Sequence, residues 1–354
     1  MQCVWRGRTS PGSVIRMLFE LDSDQRLWQD TVRALLAKEC PPALIRGIVD
    51  DGMDPAPLWQ VYAEQGWTAL TDPAEAVELA IVLEELGRAT DPTPYLATMT
   101  QYAPLAQEPP APGMRGAAVY DGVTACRDGA GWLLSGTGRY VLDGDRADRL
   151  AVVTGAGVFV VDGADVTATR TDVFDPLLHV ADVRVGPVRV PDSARGPADP
   201  DRGRHLALTG LAVTMVGACQ RILDLTLEHV RTRTQFGAPI GSFQAVQHTA
   251  ADMHVAIERA RALAYFAALT IAADDPRRPV AASMAKAAAG ECQSVVFRGG
   301  YQLFGAMGYT WENDLQFALK RAKAGELMLG GAAEHRARIT AAHRAEERHR
   351  AAHV

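Results

Sequence analysis

Apolar residues recur every three or four positions through the first part of the chain, from Ser23 to about Ala97. This spacing places them on one face of a helix. Pro41–Pro42 and the Asp54–Pro55 pair interrupt the pattern, because proline ends or kinks a helix. We therefore predict several separate amphipathic helices in this region, the clearest of them over residues 73–89.

The pattern changes after the proline-rich segment Gln107–Gly113. Between Gly116 and Pro191, short runs of β-branched residues alternate with turns that contain Gly and Asp. This alternation predicts a small antiparallel sheet domain or barrel. Its glycine-rich turns lead into no helix, which excludes a dinucleotide-binding motif.

Helical spacing returns after the sheet region and continues almost to the end of the chain. Ser242 stands where an N-cap of the second helix is expected. Four long helices with short connections predict a bundle. The predicted helices span Leu206–Arg233, Phe243–Ala273, Val280–Leu303 and Asp314–Arg338.

These patterns predict an α+β, mainly α fold with three domains. We expect an N-terminal helical domain over residues 17–112, a middle antiparallel β domain over 113–197 and a C-terminal four-helix bundle over 198–340. Residues 341–354 are a polar tail that we expect to fray. Residues 1–16 lack periodicity, and we expect a disordered or mis-called extension, with Met17 as the physiological start.

Composition excludes several classes of function. A net charge of −6 is unusual for a nucleic-acid-binding protein. The five cysteines are scattered and share no metal-ligand spacing, so we expect reduced thiols, a cytoplasmic protein and no metal site. We find no apolar run near the roughly 20 residues of a membrane span and no signal peptide, so we expect a soluble protein.

Two segments in the helical half carry a resemblance to a known family. The sequence RTQFGAPIGSFQAVQHTAADM at Arg233–Met253 resembles the signature of the acyl-CoA dehydrogenases. The sequence YQLFGAMGYTWEND at Tyr301–Asp314 is similar to a second segment of that family, with Ala306 in place of a glycine. The resemblance implies an FAD-dependent desaturation of an acyl-CoA thioester by a dimer of dimers.

The resemblance also implies which residues contact the cofactor. They would bind the adenosine-diphosphate half of an FAD that is held mainly by the neighbouring subunit. An arginine suits the pyrophosphate, and glycines let the backbone approach a ligand closely. The implied contacts are Arg233, Phe236, Gln244, Gln302, Gly305 and Gly308.

The catalytic glutamate of the family is missing at both of its usual positions, which fall on Leu329 and Ala207. Glu326, about one helical turn before Leu329, is a weak candidate for a displaced base. The strand that would hold the flavin ring also departs from the family pattern. Tyr140 replaces its tryptophan, and Asp143 lies near its threonine position.

The chain thus keeps the residues that would serve a neighbour's flavin and lacks those that would use its own. The segment Gly308–Ile339 resembles subunits of actinobacterial α2β2 enzymes, including steroid side-chain enzymes. We therefore expect a subunit without the catalytic Glu, with FAD shared across the interface with a paralogous subunit. The alternatives are a self-sufficient homotetramer with a displaced base, and a flavin-free acyl-CoA-binding or assembly subunit. The acyl group stays open.

Overall fold

The computed structural model describes residues 21–106, 109–196 and 198–351. The predicted extension at residues 1–16 and the proposed start at Met17 lie outside the described residues. Helices open the described chain, and their apolar faces form one core with helices from the second half. They are α1 (Ser23–Glu39), α2 (Pro42–Asp51), α3 (Ala56–Glu64), α4 (Ala76–Ala89) and the short α5 (Tyr95–Ala97), which a π-helical turn extends over Thr98–Tyr102.

The middle of the chain forms two four-stranded sheets. In one the strand order is β1-β4-β5-β8, and in the other it is β2-β3-β7-β6. The strands are β1 (Gly116–Val119), β2 (Val123–Asp128), β3 (Gly131–Leu142), β4 (Arg149–Thr154), β5 (Gly157–Asp162), β6 (Val166–Arg170), β7 (Val180–Pro191) and β8 (Arg195–Gly196).

The prediction of a purely antiparallel region was wrong at one pairing, because β1 and β4 run parallel. Two further strands separate them in the sequence, and both of these belong to the other sheet. The chain therefore crosses to the second sheet and returns to the first in the same direction. Periodicity along one strand cannot reveal such a crossover.

Long helices follow the sheets. They are α6 (Pro200–Thr232), α7 (Gln244–Ala272), α8 (Arg278–Phe304), α9 (Leu315–Leu327) and α10 (Ala332–Ala351), and a two-residue hairpin, β9 (Thr234–Gln235) with β10 (Ala238–Pro239), joins α6 to α7. Phe243, preceded by a 3₁₀ turn, occupies the N-cap position of α7. The predicted cap by Ser242 was therefore wrong. Its hydroxyl donates to the carbonyl of Pro239 instead.

The fourth predicted helix is two helices. Leu329 and Gly330 both have positive φ angles, of 53° and 97°, and this left-handed backbone ends α9 before α10 begins. The predicted polar tail forms the second half of α10, which continues to Ala351 with nearly all of its side chains exposed.

Helix α6 contacts α4, α7, α8 and α9, and it packs directly on α4 at two glycines. A Cβ on Gly217 would lie 1.9 Å from the carbonyl oxygen of Glu84, and one on Gly87 would lie 2.1 Å from that of Thr214. Only glycine permits backbones to approach so closely. This contact fixes the N-terminal helices against the bundle.

The sequence-based statement that no apolar run approaches a membrane span was wrong for α6. By length and composition it is the one helix in the described chain that could cross a membrane. However, 83% of its most apolar window is buried inside the protein. A buried helix of this kind is what the core of a folded bundle requires, so its apolar character is explained by packing.

Candidate functional site

Three segments of the bundle converge at one end of the molecule, and the six predicted cofactor-contacting residues lie on them. The segments are the end of α6 with the hairpin that follows, the start of α7, and the end of α8 with the 3₁₀ turn after it. The residues are Arg233, Phe236, Gln244, Gln302, Gly305 and Gly308.

Aromatic contacts hold these segments together. His229, one turn before Arg233, stacks on Phe304 with ring centroids 4.3 Å apart, which joins α6 to α8. Burial and the nearby Arg233 guanidinium lower the pKa of His229, so the ring is neutral near pH 7. Phe236 in the hairpin meets Phe243 edge to face at 6.2 Å. These contacts pack the end of α6, the hairpin, the start of α7 and the end of α8 together at the bundle end.

The polar side chains on this surface have no partners within the described chain. Arg233, Gln244 and Gln302 are exposed, and their side chains make no hydrogen bond or ion pair with any residue that the structure describes. Unengaged guanidinium and amide groups on a rigid surface are available to an anionic, hydrogen-bonding ligand.

Phe236 is the most exposed large apolar side chain in the described part of the chain, at 95%. Its φ of 53° is rare for a bulky residue, and such backbone costs about 1–3 kcal/mol. Within the chain this side chain gains little from its position. A ligand or neighbouring subunit that covers the ring would supply the missing contact area.

The glycines of the site differ from each other in their surroundings. Gly305 caps α8 with a φ of 59°, and it is exposed with open space beside it. Gly308 is buried, and a Cβ there would press on Phe304 and Tyr301 at 3.1 and 3.2 Å. Gly305 can therefore approach a ligand, whereas the absence of a side chain at Gly308 is already explained by packing inside the turn.

The segment between α9 and α10 carries the position where the catalytic acid is expected. Leu329 is partly buried, and its carbonyl oxygen lies 3.0 Å from Nε2 of the buried His335. Lys286, which is also fully buried, donates to the carbonyls of Glu326 and Gly330 at 3.1 and 2.8 Å. The loop is thus held firmly although no carboxylate occupies position 329.

The Glu326 side chain faces α8 and the segment that joins α9 to α10. It is 18% exposed and pairs with Lys323 at 3.0 Å. Cβ atoms on Gly331 and Gly290 would lie 2.7 and 3.3 Å from its side-chain atoms, so it packs against α8 and the start of α10. Ala207, the other position for a base, is fully buried in α6.

Apolar side chains occupy most of the space where α5, the sheets and the end of α9 face each other, and leave an inner cavity of about 20 Å³ beside Asp91. Leu142 at the end of β3 packs with Leu178 and with Ala324 of α9, and Met328 adds to the same cluster. A Cβ on Gly210 would lie 2.6 Å from Thr100, so α6 also closes tightly on the helix after α5.

Tyr140 and Asp143 lie where β3 departs from the family pattern expected for flavin-ring binding, and they differ in exposure. Tyr140 has a φ of 55° beside an irregularity in the β3–β7 pairing, and its ring is 70% exposed. Asp143 is buried and accepts from Nε of Arg146 at 2.7 Å. Burial raises the pKa of Asp143 despite this partner.

A buried ionic cluster borders the inner cavity, and sequence reasoning missed it. Arg321 of α9 donates from Nε to Asp175 at 2.9 Å and from Nη1 to the carbonyl of Asp91 at 2.7 Å. The Asp91 carboxylate accepts from the hydroxyls of Tyr62 and Thr93, and burial raises its pKa to about 6. These groups come from distant parts of the chain, so no local motif marks them.

Metal chemistry finds no support in the part of the chain that the structure describes. Within it, no group of three or more His, Cys, Asp or Glu side chains is placed to hold an ion.

Comparison with known proteins agrees with this picture. The family model for the acyl-CoA dehydrogenase N-terminal domain matches residues 22–107, and that for the acyl-CoA dehydrogenase C-terminal domain matches residues 207–344. Acyl-CoA dehydrogenase IpdE2 of Mycobacterium tuberculosis is 33% identical over 319 residues, which are 86% of this chain and 93% of the relative.

Solved structures repeat the architecture. The ChsE4–ChsE5 complex from Mycobacterium tuberculosis matches with a TM-score of 0.82 and 25% identity, over 92% of this chain and 98% of the matched one. A variant of the steroid acyl-CoA dehydrogenase Tcur3481–Tcur3483 matches with a TM-score of 0.79 and 26% identity, over 90% and 96%. Sequence, fold and bundle-end surface together show that the chain belongs to the acyl-CoA dehydrogenase family, whose members bind FAD.

Proposed function

We propose that this chain is the subunit of an α2β2 acyl-CoA dehydrogenase that lacks the catalytic Glu and completes the FAD site of a paralogous subunit. Its bundle end would contact the adenosine-diphosphate half of FAD across the interface. The partner would supply the carboxylate that removes the α-proton of the acyl-CoA. FAD supplies the acceptor for the β-hydride when bound.

One contrast carries the proposal. The surface that would serve a neighbour's cofactor is exposed, and its polar side chains have no partners among the described residues. The chain's own inner space, in contrast, is reduced by Leu142, Leu178 and Met328 to a cavity of about 20 Å³ beside Asp91. A subunit that used its own flavin would need that inner space open and an acid at its edge.

The residues of the bundle end suit this role. The guanidinium of Arg233 offers two parallel donors to a phosphate. The ring of Phe236 offers a flat apolar face to an aromatic base, and the amides of Gln244 and Gln302 offer both donors and acceptors. These groups bind and orient, and none of them is placed to accept a proton from a substrate carbon.

A paralogous partner accounts for the missing base. Leu329 cannot take a proton, and Glu326 is paired with Lys323. Two of the structural neighbours are named as complexes of two proteins, and one of these is called a steroid enzyme. These names favour a hetero-oligomer and a bulky, steroid-type acyl-CoA as substrate.

The first test is the flavin content of the purified chain, expressed alone and together with its paralogous neighbour. We expect little flavin absorbance in the chain alone and one FAD for each pair of chains in the complex. A flavin-free complex that still binds acyl-CoA would favour the assembly role. Near-stoichiometric flavin in the chain alone would refute the shared site.

Substitutions at the bundle end test the contacts themselves. Arg233→Gln and Phe236→Ala should each weaken FAD retention by the complex by about tenfold or more, since each removes one anchoring contact. The matched control is Arg184→Gln, because Arg184 is exposed on β7 and its side chain has no partner in the described chain.

Glu326→Gln should leave turnover unchanged. Loss of turnover there would instead support a self-sufficient enzyme with a displaced base.

A further inference from the structure

A cleft of about 270 Å³ lies on the side of the molecule formed by the turn from α1 to α2, the end of α4 and the start of α9. Its floor is apolar and well packed. The side chains of Leu36, Ile45, Phe317 and Ala318 form it, and each is less than 4% exposed. The exposed Ala37 lies at its rim.

This cleft is separate from the sites described above. It shares no lining residue with the inner cavity beside Asp91. Arg221, which lines the cleft, lies two helical turns along α6 from Thr214, which borders the inner cavity. The bundle end begins further still along the same helix, after Arg233.

The mouth of the cleft carries three arginines, and two of them are already neutralised. Arg33 makes a bidentate ion pair with Glu85, donating from Nη2 to Oε1 at 2.7 Å and from Nε to Oε2 at 3.0 Å. Arg88 pairs with Asp224 at 2.6 Å.

The third arginine is Arg221. It is partly buried and has no hydrogen-bonding or ionic partner among the residues that the structure describes. Asp314, the other acid at the mouth, is bound by Arg46 at 2.7 Å. The cleft therefore presents one uncommitted positive charge above an apolar floor.

We propose that this cleft binds a small amphipathic carboxylate. The apolar part of the ligand packs on Leu36, Ile45 and Phe317, and its carboxylate pairs with the guanidinium of Arg221. An apolar pocket with a few polar groups that fix orientation is the usual form of a small-molecule site. The volume lies just below the roughly 300–1,000 Å³ of drug-sized pockets, so the ligand is small. This inference does not depend on the shared-flavin role.

The chemistry of the cleft selects a carboxylate over neutral or cationic molecules of the same shape. A neutral analogue gains the apolar contacts but leaves Arg221 unpaired. A cationic analogue is repelled by Arg221 and finds the acids at the mouth already paired. A charge-assisted hydrogen bond in a partly desolvated cleft is stronger than a neutral one, so the carboxylate should bind at least about tenfold more tightly than the alcohol.

Ligand-observed NMR titrations on the full-length chain, alone and in complex with its partner, test the proposal. The probes are hexanoate and benzoate, with hexanol, benzyl alcohol and hexylamine as comparisons. We expect the two carboxylates to bind in both preparations. Arg221→Gln should reduce carboxylate affinity by about tenfold or more while leaving hexanol binding unchanged, and Arg184→Gln should change neither.

Ala37→Trp provides a second arm, because it fills the cleft from an exposed position and should not disturb folding, which circular dichroism verifies. It should abolish binding of both the carboxylates and the alcohols. Equal affinity of hexanoate and hexanol, carboxylate binding that survives Arg221→Gln, or no binding of either carboxylate would overturn the proposal. So would binding that disappears in the complex, because the partner would then be the natural occupant of the cleft.

Discussion

Lys286 shows how the loop around position 329 keeps its shape without its usual acid. The side chain is fully buried, and burial lowers the pKa of its ammonium group to about 8. It donates to the carbonyls of Glu326 and Gly330, while His335 contacts that of Leu329. The left-handed backbone at Leu329 persists because neighbouring groups over-determine it.

The loss of these hydrogen bonds should be costly. Lys286→Met keeps most of the volume of the side chain but leaves two buried carbonyls without a donor, so we expect a destabilisation of about 2–4 kcal/mol. Lys323→Met is the matched control, since it removes only the partly exposed pair with Glu326 and should cost less than about 1 kcal/mol. Urea unfolding measures both, and equal effects would contradict the role of Lys286.

Restoring the acid at position 329 should not restore an enzyme. Leu329→Glu supplies a carboxylate, but Leu142 and Met328 still pack into the inner space, which under the proposed function is too small for a flavin ring and an acyl group. We expect no acyl-CoA turnover by this variant alone with added FAD, measured by dye reduction with the unaltered complex as positive control. Turnover approaching that of the complex would contradict this expectation and show that the acid is the only group that the chain lacks for catalysis.

At the level of elements, the contact between α4 and α6 is decided by two small residues. Gly87 and Gly217 let the helices approach until backbone meets backbone, and the buried face of α4 then packs against α6 over much of its length. Larger residues would hold the helices apart and leave voids on both sides.

Gly217→Ala should therefore destabilise the protein, by about 3 kcal/mol or more, although alanine is the better helix former. Its Cβ would lie 1.9 Å from a backbone carbonyl that cannot rotate away. Gly155→Ala is the control, because no atom lies within 4 Å of the added carbon there. Thermal unfolding would distinguish the two, and a stabilised Gly217→Ala would contradict the close approach.

At the level of the whole molecule, a buried ionic cluster joins its three parts. Asp91 lies between α4 and α5, Asp175 precedes β7, and Arg321 belongs to the bundle. Because the cluster is removed from water, the electrostatic interactions between its charged groups are stronger than those of ion pairs on the surface. It links the sheets to the helices at the inner cavity.

This cluster predicts a pH dependence. Burial raises the pKa of Asp91 to about 6 from 3.8, so the folded state binds the proton more tightly than the unfolded chain does. The stabilisation is complete below about pH 4 and is lost as the pH rises to about 6, in total about 3 kcal/mol.

Asp91→Asn removes this titration and leaves the others in place. As the pH rises from 4 to 7, the unfolding free energy of the native chain should therefore fall relative to that of this variant. Chemical denaturation at several pH values measures it. A difference that stays constant with pH would contradict the raised pKa.

The sequence by itself determined the helices, the sheet region and the bundle, because their signals are local. Hydrophobic spacing and proline positions depend only on neighbouring residues, and the segment from Arg233 carries its resemblance in a short run. The helix break at Leu329 was missed, because a left-handed leucine has no sequence signature and is imposed by the distant Lys286 and His335.

Only the tertiary structure decided the sheet pairing, the shape of the inner space and the position of the buried charges. The parallel pairing of β1 with β4, the largely filled inner space, the Asp91–Arg321 cluster and the cleft at Arg221 all join residues that are far apart in the chain. Such contacts arise when elements pack, and packing depends on volumes and buried charges that no periodicity along the chain records.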